Sequence, residues 1–382
     1  MRRSENKIGL LGIGEFSDLY PTNKLRRDFL LSYHSEYVID LTLPRSTNKE
    51  INNSNCRRLI GIFRLSINHI WSFYRYIKVR PNKVFIFYPA ILLSSLFSIV
   101  PKRFRPQITI DGFISIYDTV VNDRQLVSKN NVFARILKWL EYRAFSVAES
   151  IVVDTDENAS FYADMYSLDL DRFKTIPLCI PKSDYKKPPQ KKPPKDSVVC
   201  LYMGTFVPLH GVKHIVEAAF LLRDESNIKF ELVGNGQEAP LIDQYLSTKS
   251  IPNLVWQRET ISTLELHSKI SNADICLGIF SENHKTRRVI PYKVYHYLAN
   301  GRPLITANSP PMRSLINDDQ FCIQLSKPGD ANDLAEKILA FSRAPLHVRQ
   351  KAQISALETY DDHLSNQYGF EILENTLGLR NS

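Results

Sequence analysis

Apolar and polar positions along this chain follow two alternating rhythms. Runs of five to eight residues, dense in β-branched and aromatic side chains, are each followed by a longer stretch with apolar residues every three or four positions. In the first half "KIGLLGIG", "YVIDLTL", "KVFIFY", "QITID", "SIVVDT" and "KTIPLC" read as strands. In the second half "SVVCLYMG", "KFELVG", "NLVWQ", "ADICLGIF", "PLITA" and "FCIQLS" repeat the series. Strands apolar on both sides, separated by amphipathic helices, are the pattern of parallel sheets with helices over both faces. Because the series occurs twice, we expect an α/β protein of two doubly wound, Rossmann-like domains.

Between the two series lies "PKSDYKKPPQKKPPKDS", a Lys and Pro segment that favours an extended, solvated backbone. The expected division is a first domain over 1–180, a linker over 181–197 and a second domain over 198–360. A final helix over 361–382 is expected to pack back on the first domain. The longest uncharged run, Val84 to Pro101, has 18 residues but is interrupted by Pro89 and three serines. It reads as a buried strand followed by a helix rather than a membrane span. "MRRSENK" leads straight into the first strand, so no signal peptide is expected.

Charge changes this picture more than composition does. Residues 1–200 carry 31 Lys and Arg against 20 Asp and Glu, a net +11, whereas 201–382 carry 18 against 20, a net −2. From Ile51 to Ile110 there are 10 Lys and Arg and no acid. Such an imbalance directs the first half toward nucleic acid, membrane lipid or a phosphorylated substrate. Within it, "RRLIGIFRLSINHIWSFYRYIKVRPNK" interleaves Trp71, Phe73, Tyr74 and Tyr76 with cations. This reads first as an amphipathic helix packed on its sheet, and its composition also suits an anionic membrane surface. No recognition motif accompanies the charge, so nucleic acid is not expected as a partner. The five cysteines are scattered, without CxxC pairs, and read as reduced thiols of a cytoplasmic protein.

Candidate chemistry gathers where strands run into glycine. "VVCLYMGTFVPLHGVKHIVEAA" is a strand, a turn at Gly204, a loop through Thr205 and His210, and a helix from about Gly211. "FELVGNGQE" repeats the device with Gly234 and Gly236. Glycine there serves turn geometry, and it also lets backbone N–H groups approach a ligand beside a helix N-terminus. "RRVIPYKVYHYLANGRPLI" sets Arg287, Arg288, Lys293 and His296 around one helix entrance. Cations there oppose the helix dipole unless an anion joins them. A diphosphate answers both signals. In the first half, Gly12 and Gly14 end a strand in "LGIGEF", which lacks the third glycine of a dinucleotide fingerprint and so counts against NAD. Asp111 closes another strand, with Asp118, Asp123 and Arg124 following in one loop and helix entrance. Asp118 also reads as an N-cap.

The order "YMGTFVPLHG", "LVGNGQE", "ADICLGIF", "VIPYKVYHYLANGRPLIT", "KPGDANDLAEKI" resembles the retaining, GT-B-type glycosyltransferases of family 4. "DGFISIYDTVVNDR" and "YPTN" resemble one bacterial, polysaccharide-type branch of it. The resemblance implies two Rossmann-like domains facing a cleft, a nucleotide-diphosphate sugar held mainly by the second, and a saccharide or lipid-linked acceptor on the first. It implies retention, with no further cofactor and no metal. It places Gly204, Thr205, His210, Gly234, Gly236, Arg287, Arg288, Lys293 and His296 on the donor side. Gly12, Gly14, Asp123 and Arg124 fall on the acceptor side, and Asp111 and Asp118 at the catalytic position. The family's usual Arg and Lys beside the first glycine turn are replaced here by Thr205 and His210. Its usual pair of glutamates is replaced by Arg288 and His296. The diphosphate cations are therefore expected from Arg287, Arg288 and Lys293, with His296 bonding a ribose hydroxyl.

Two Asp-x-Asp spacings, Asp154 with Asp156 and Asp169 with Asp171, lie late in the first half, and the first reads as a helix cap rather than a metal site. A same-fold epimerase or phosphorylase, or a non-catalytic partner subunit, would share much of this pattern. The location implied is the cytoplasm or the inner face of the cell membrane.

Overall fold

The computed structural model describes residues 4–14, 21–44, 55–181, 197–259 and 261–380. It divides into two units, Met1–Pro181 with Gly369–Ser382, and Lys182–Tyr368. Nearly all of the Lys and Pro linker, residues 182–196, lies outside the described residues, as does Tyr20 of "YPTN".

The first unit opens with β1 (Ser4–Leu11), β2 (Ile13–Gly14), α1 (Pro21–Tyr33), β3 (Val38–Asp40) and β4 (Leu43–Pro44). It continues with α2 (Asn55–Val79), β5 (Pro81–Ile86), α3 (Ile91–Phe97), β6 (Gln107–Asp111) and α4 (Val132–Val147). β7 (Ser150–Val153), α5 (Asp156–Tyr166) and β8 (Phe173–Thr175) complete the run. Six strands form one parallel sheet in the order β3-β1-β5-β6-β7-β8. Helices α2 to α5 cover one face, where Tyr76, Phe97, Phe145 and Tyr162 pack on Ile86, Ile110 and Ile151. The other face holds α1 through Leu30, against Ile8 and Phe85.

The second unit repeats the plan with β9 (Val198–Met203), α6 (Val212–Leu221), β10 (Ile228–Val233), α7 (Ala239–Thr248) and β11 (Leu254–Gln257). Then come α8 (Thr263–Asn272), β12 (Ile275–Leu277), α9 (Tyr292–Ala299), β13 (Leu304–Ala307), α10 (Pro310–Arg313) and β14 (Ile323–Ser326). Helices α11 (Ala331–Arg343), α12 (Leu346–His363) and α13 (Asn366–Leu377) follow. Its sheet is again parallel, in the order β11-β10-β9-β12-β13-β14. The twelve strands read from the sequence are all present, and the doubly wound class holds in both units.

The chain end differs from the single helix expected from Asp361. Helix α12 ends at His363 on Leu364, and α13 is a separate helix. Residues from Gly369 belong to the first unit. There Phe370 stacks on Phe29 at 4.1 Å, Glu374 meets His34 at 2.8 Å, and Leu373 and Leu377 enter the core beside Leu30. Val84 to Pro101 forms β5 and α3, and among the described residues no helix is long and apolar enough to cross a membrane.

Candidate functional site

In each sheet the strand order reverses at one point, and ligands of open α/β sheets bind outside the strand C-termini there. In the second unit that point lies between β9 and β12, because the chain proceeds to β10 and β11 on one side and to β13 and β14 on the other. β9 runs directly into Gly204, whose φ of +144° lies where only glycine is at ease. Gly234 (φ +137°) and Gly236 (φ +159°) do the same after β10. The two turns interlock. A Cβ on Gly234 would lie 2.0 Å from the Gly204 carbonyl oxygen, and one on Gly236 would lie 2.7 Å from the Phe206 amide. Phe206 stacks on Trp256 at 5.2 Å, and the indole N–H donates to the Gly234 carbonyl at 2.8 Å. Gly234 and Gly236 thus serve close packing of one turn on the other.

Lys293 comes up beneath this turn from the first turn of α9. Its Nζ lies 3.8 Å from the centroid of the Tyr202 ring, and a Cβ on Gly204 would approach it to 3.0 Å. The side chain is buried, and Nζ has no hydrogen-bond partner among the described residues. Burial holds its pKa well below the ordinary lysine value. Withdrawing an ammonium from water costs several kcal/mol, whereas a cation–π contact returns about 0.5–2 kcal/mol. The balance is unfavourable until an anion arrives.

The backbone adds to this demand. Helices α8 and α11 are capped by the Ser262 and Asp330 side chains, which accept from Glu265 and from Asn332 and Asp333. Helices α6 and α9, flanking the switch point, follow Gly211 and Pro291 and have no side-chain cap, which α7, α10 and α12 also lack. Their first N–H groups and the positive end of each dipole favour an anion.

His210 stands beside Lys293, its Nδ1 at hydrogen-bond distance from the Thr205 carbonyl and 2.9 Å from the Tyr202 hydroxyl. A carbonyl only accepts, so Nδ1 carries the proton and Nε2 is the acceptor nitrogen. Burial, together with Lys293, lowers its pKa to about 3, so the ring is neutral near pH 7. The Thr205 side chain is exposed.

The cations of "RRVIPYK" differ in their surroundings. Arg287 is exposed on a short turn, His284–Arg287, and lines a recess of about 420 Å³ with Ser281, Glu282, Asn308 and Arg313. Arg288 is buried at the end of that turn, its N–H donating to the Lys285 carbonyl at 3.0 Å. Lys293 is placed against the Gly204 turn from α9, which Ile290 and Pro291 separate from the turn that holds Arg287. His296 is buried within α9, edge-on to the Tyr292 ring at 4.9 Å, and its carbonyl accepts from Asn300.

In the first unit the switch point lies between β1 and β5. Gly12 (φ +121°) ends β1, its N–H donates to Ser72 Oγ at 3.4 Å, and a Cβ there would approach the Phe87 carbonyl to 3.2 Å. Gly14 lies in β2, opposite Pro44. Asp111, expected to face a substrate, is instead sealed inside. Arg26 Nη1 donates to its Oδ2 at 2.8 Å, with both side chains at most 2% exposed. The same guanidinium donates to the Ile176 and Pro177 carbonyls. Burial pushes the Asp111 carboxyl up, against the pull of Arg26 and the Phe113 N–H. Asp118 opens a π turn to Asp123, its N–H donating to Ser115 Oγ and its Oδ1 accepting from Asn122. Both contacts lie within the loop. Asp123 ends that turn, and Arg124 is exposed just beyond it. The cap of α5 is Thr155 rather than Asp154 or Asp156. Its hydroxyl accepts from Asn158, while Asp154 accepts from the Asn158 amide.

Glu141 was not legible as a site residue. It projects from α4 into the loop after β6 and is fully buried. It accepts from the Ile116 and Tyr117 N–H groups, from Ser115 Oγ and from the Tyr166 hydroxyl. It fixes the loop that carries Asp118. Its one sequence signal is an acid on the buried stripe shared by Ala134, Ala144 and Phe145.

Both units are Rossmann-like, and the fold is that of the GT-B glycosyltransferases. A family model described as glycosyl transferases group 1 matches residues 197–343, the part holding β9 to α11. MMP alpha-(1->4)-mannosyltransferase of Mycolicibacterium hassiacum is 22% identical over 145 residues, 38% of this chain and 34% of that protein. The chain thus spans about a third of the curated relative it matches. Sucrose-phosphate synthase from Thermosynechococcus elongatus superposes with a TM-score of 0.71 at 14% identity, covering 98% of each chain. Anabaena HepE, solved in complex with UDP, gives a TM-score of 0.64 at 12% identity over 97% of this chain and 99% of that one.

Turn substitutions separate packing from binding. Gly234→Ala is expected to destabilise the protein by more than the ~1–3 kcal/mol of a strained backbone, since its methyl meets a carbonyl. Gly204→Ala meets the flexible end of Lys293 at 3.0 Å and the Tyr202 hydroxyl at 3.5 Å rather than a carbonyl, so a smaller loss is expected. Denaturant titration of the two variants checks the order.

Proposed function

We propose that this protein is a glycosyltransferase that moves a sugar from a nucleoside diphosphate sugar to a saccharide or lipid-linked acceptor. The observation carrying this reading is the buried, unpartnered Nζ of Lys293 under the Gly204 turn, with the starts of α6 and α9, which have no side-chain cap, beside it. One anion with several oxygens satisfies all three, and a diphosphate is such an anion. The match of residues 197–343 to the glycosyl transferases group 1 model supports the same reading, as does a fold shared with a protein crystallised with UDP.

In the proposed reaction the bond between the sugar's anomeric carbon and the diphosphate oxygen breaks. An acceptor hydroxyl oxygen bonds to that carbon, and its proton passes to the departing diphosphate. In this reading Lys293 and the helix N-termini stabilise the charge that develops on the leaving group, in the way that preorganised sites lower such barriers. We further propose that the configuration at the anomeric carbon is retained, and that the product serves cell-surface polysaccharide assembly in the cytoplasm or at the inner membrane face.

Incubating the protein with nucleotide sugars and saccharide or lipid-linked acceptors tests the reading. The expected result is free nucleoside diphosphate in equal amount to a new glycoside. An isomerised sugar still attached to its nucleotide would assign an epimerase instead, and no turnover with any donor would point to a binding subunit.

A further inference from the structure

Helix α3 lies between α2 and α4, joined to α4 by Ser95 Oγ donating to the Leu140 carbonyl and by Arg143 donating to Ser98 Oγ. All three turn one side to the sheet. Phe73, whose orientation was open from sequence, packs inward on Phe97 at 5.1 Å. Their outer sides are apolar to an unusual degree. Trp71 and Trp139 are each 55% exposed, Ile136 is 50%, and Ile99, just past α3, is 74%. Large apolar side chains exposed on three neighbouring helices are the kind of surface that meets a partner.

The cations here are arranged on the aromatics. Arg143 lies over the Trp139 ring at 5.3 Å, Lys78 over Tyr74 at 4.7 Å, and Arg103 over Phe104 at 4.7 Å. Between Asn55 and Ala148 the sequence has 15 Lys and Arg against four acids. Three of those acids, Asp111, Asp118 and Glu141, are buried in the networks described above. Among the described residues of α2, α4 and the segment between them, the exposed charges include Lys78, Arg80, Lys102 and Arg103, and Arg135 and Lys138 of α4, all positive. An exposed α5 face, by contrast, carries Asp156 and Asp164. Aromatic rings topped by cations match the boundary of an anionic bilayer, where rings lie at headgroup depth and cations meet lipid phosphates.

We propose that the α2–α3–α4 face docks on an anionic lipid surface, with Trp71 and Trp139 entering the interface. This rests on exposure and charge in the first unit, independently of the donor site in the second. A nucleic acid is less well matched, since the largest exposed side chains are aliphatic and indole groups without a groove. A second copy would present the same positive charge to itself.

The test uses the full chain and vesicles of phosphatidylcholine with or without phosphatidylglycerol. The chain has three tryptophans, and Trp256 is stacked in the second unit, so fluorescence reports largely on Trp71 and Trp139. Flotation with the anionic vesicles at low salt is expected, with release as salt rises and quenching of emission by brominated acyl chains. Lys138→Glu with Arg103→Glu should weaken binding at least about fivefold for each cation lost. Trp71→Ser with Trp139→Ser should abolish quenching while circular dichroism stays unchanged. Failure to float at low salt overturns the proposal. Binding undiminished in both double variants does so too, as does a stable dimer that the Trp substitutions dissociate, which would give the face to a second copy.

Discussion

Lys293→Met is expected to make the unliganded protein more stable and to remove its affinity for nucleoside diphosphates. Methionine fills nearly the same space over the Tyr202 ring without an ammonium, whose Nζ lacks any hydrogen-bond partner among the described residues. Relieving an unsatisfied buried polar group is worth about 1–3 kcal/mol, more where it is charged. Removing a cation from a desolvated phosphate costs about 2–5 kcal/mol of binding, a loss of between thirtyfold and several thousandfold. A structural lysine would behave in the opposite way, losing stability on substitution. Thermal melts of the two proteins, with and without nucleoside diphosphate, give both readouts. A lower Tm together with unchanged affinity would remove Lys293 from the site.

The second large effect concerns Arg26 and Asp111. Breaking a buried ion pair from one side leaves the other charge uncompensated, typically at about 3–5 kcal/mol. Arg26→Met is therefore expected to destabilise strongly, because among the described residues Asp111 then keeps only the Phe113 N–H, and the Ile176 and Pro177 carbonyls lose the guanidinium donor. Asp111→Asn keeps the shape and is expected to destabilise as well. In the double variant much of the loss should be recovered, and a double-mutant cycle measured by denaturant unfolding gives the coupling. If Asp111→Asn loses turnover with no loss of stability, the carboxylate acts on substrate rather than on Arg26.

These two cases show where the sequence is and is not transparent. Strands were readable because a parallel strand covered on both faces must be apolar throughout, as "VVCLYM" and "PLIT" are. Turns were readable because a positive φ selects glycine at 204, 234 and 236. What the glycines do there was not readable, since the contact of Gly234 with Gly204 joins residues 30 positions apart. Lys293 was singled out for its place in a helix entrance, and Arg287 received the same reading, yet Lys293 is buried under the Gly204 turn whereas Arg287 is exposed and lines a recess with Ser281 and Glu282. Spacing assigns residues to an element but does not say which side of a turn they leave from.

Arg26 was missed although the buried residues of α1, Asn23, Arg26 and Leu30, fall three and four apart. A cation on that stripe is a signal that an acid must await it, here one 85 positions away. Trp71 and Phe73 illustrate the limit within a single helix. Both are aromatic and both lie in the basic stretch, but only the phase of the helix on its sheet decides that one faces out and the other in.

Lys293 is central: burial lowers its pKa and leaves Nζ without a hydrogen-bond partner among the described residues, so that an anion beside it would be favoured. Its pKa in the folded, unliganded protein lies below the value it has when unfolded. Between those two values the unfolded chain binds more protons, so stability rises with pH across that window. A bound diphosphate raises the pKa again, so between the free and bound values binding must take up a proton, and affinity must fall as pH rises. Calorimetric titration with a nucleoside diphosphate, in buffers of different ionisation enthalpy across an alkaline pH series, measures this directly. The account predicts proton uptake on binding by the unmodified protein and none by Lys293→Met. Binding without uptake at any pH, or equal uptake by both proteins, would contradict it.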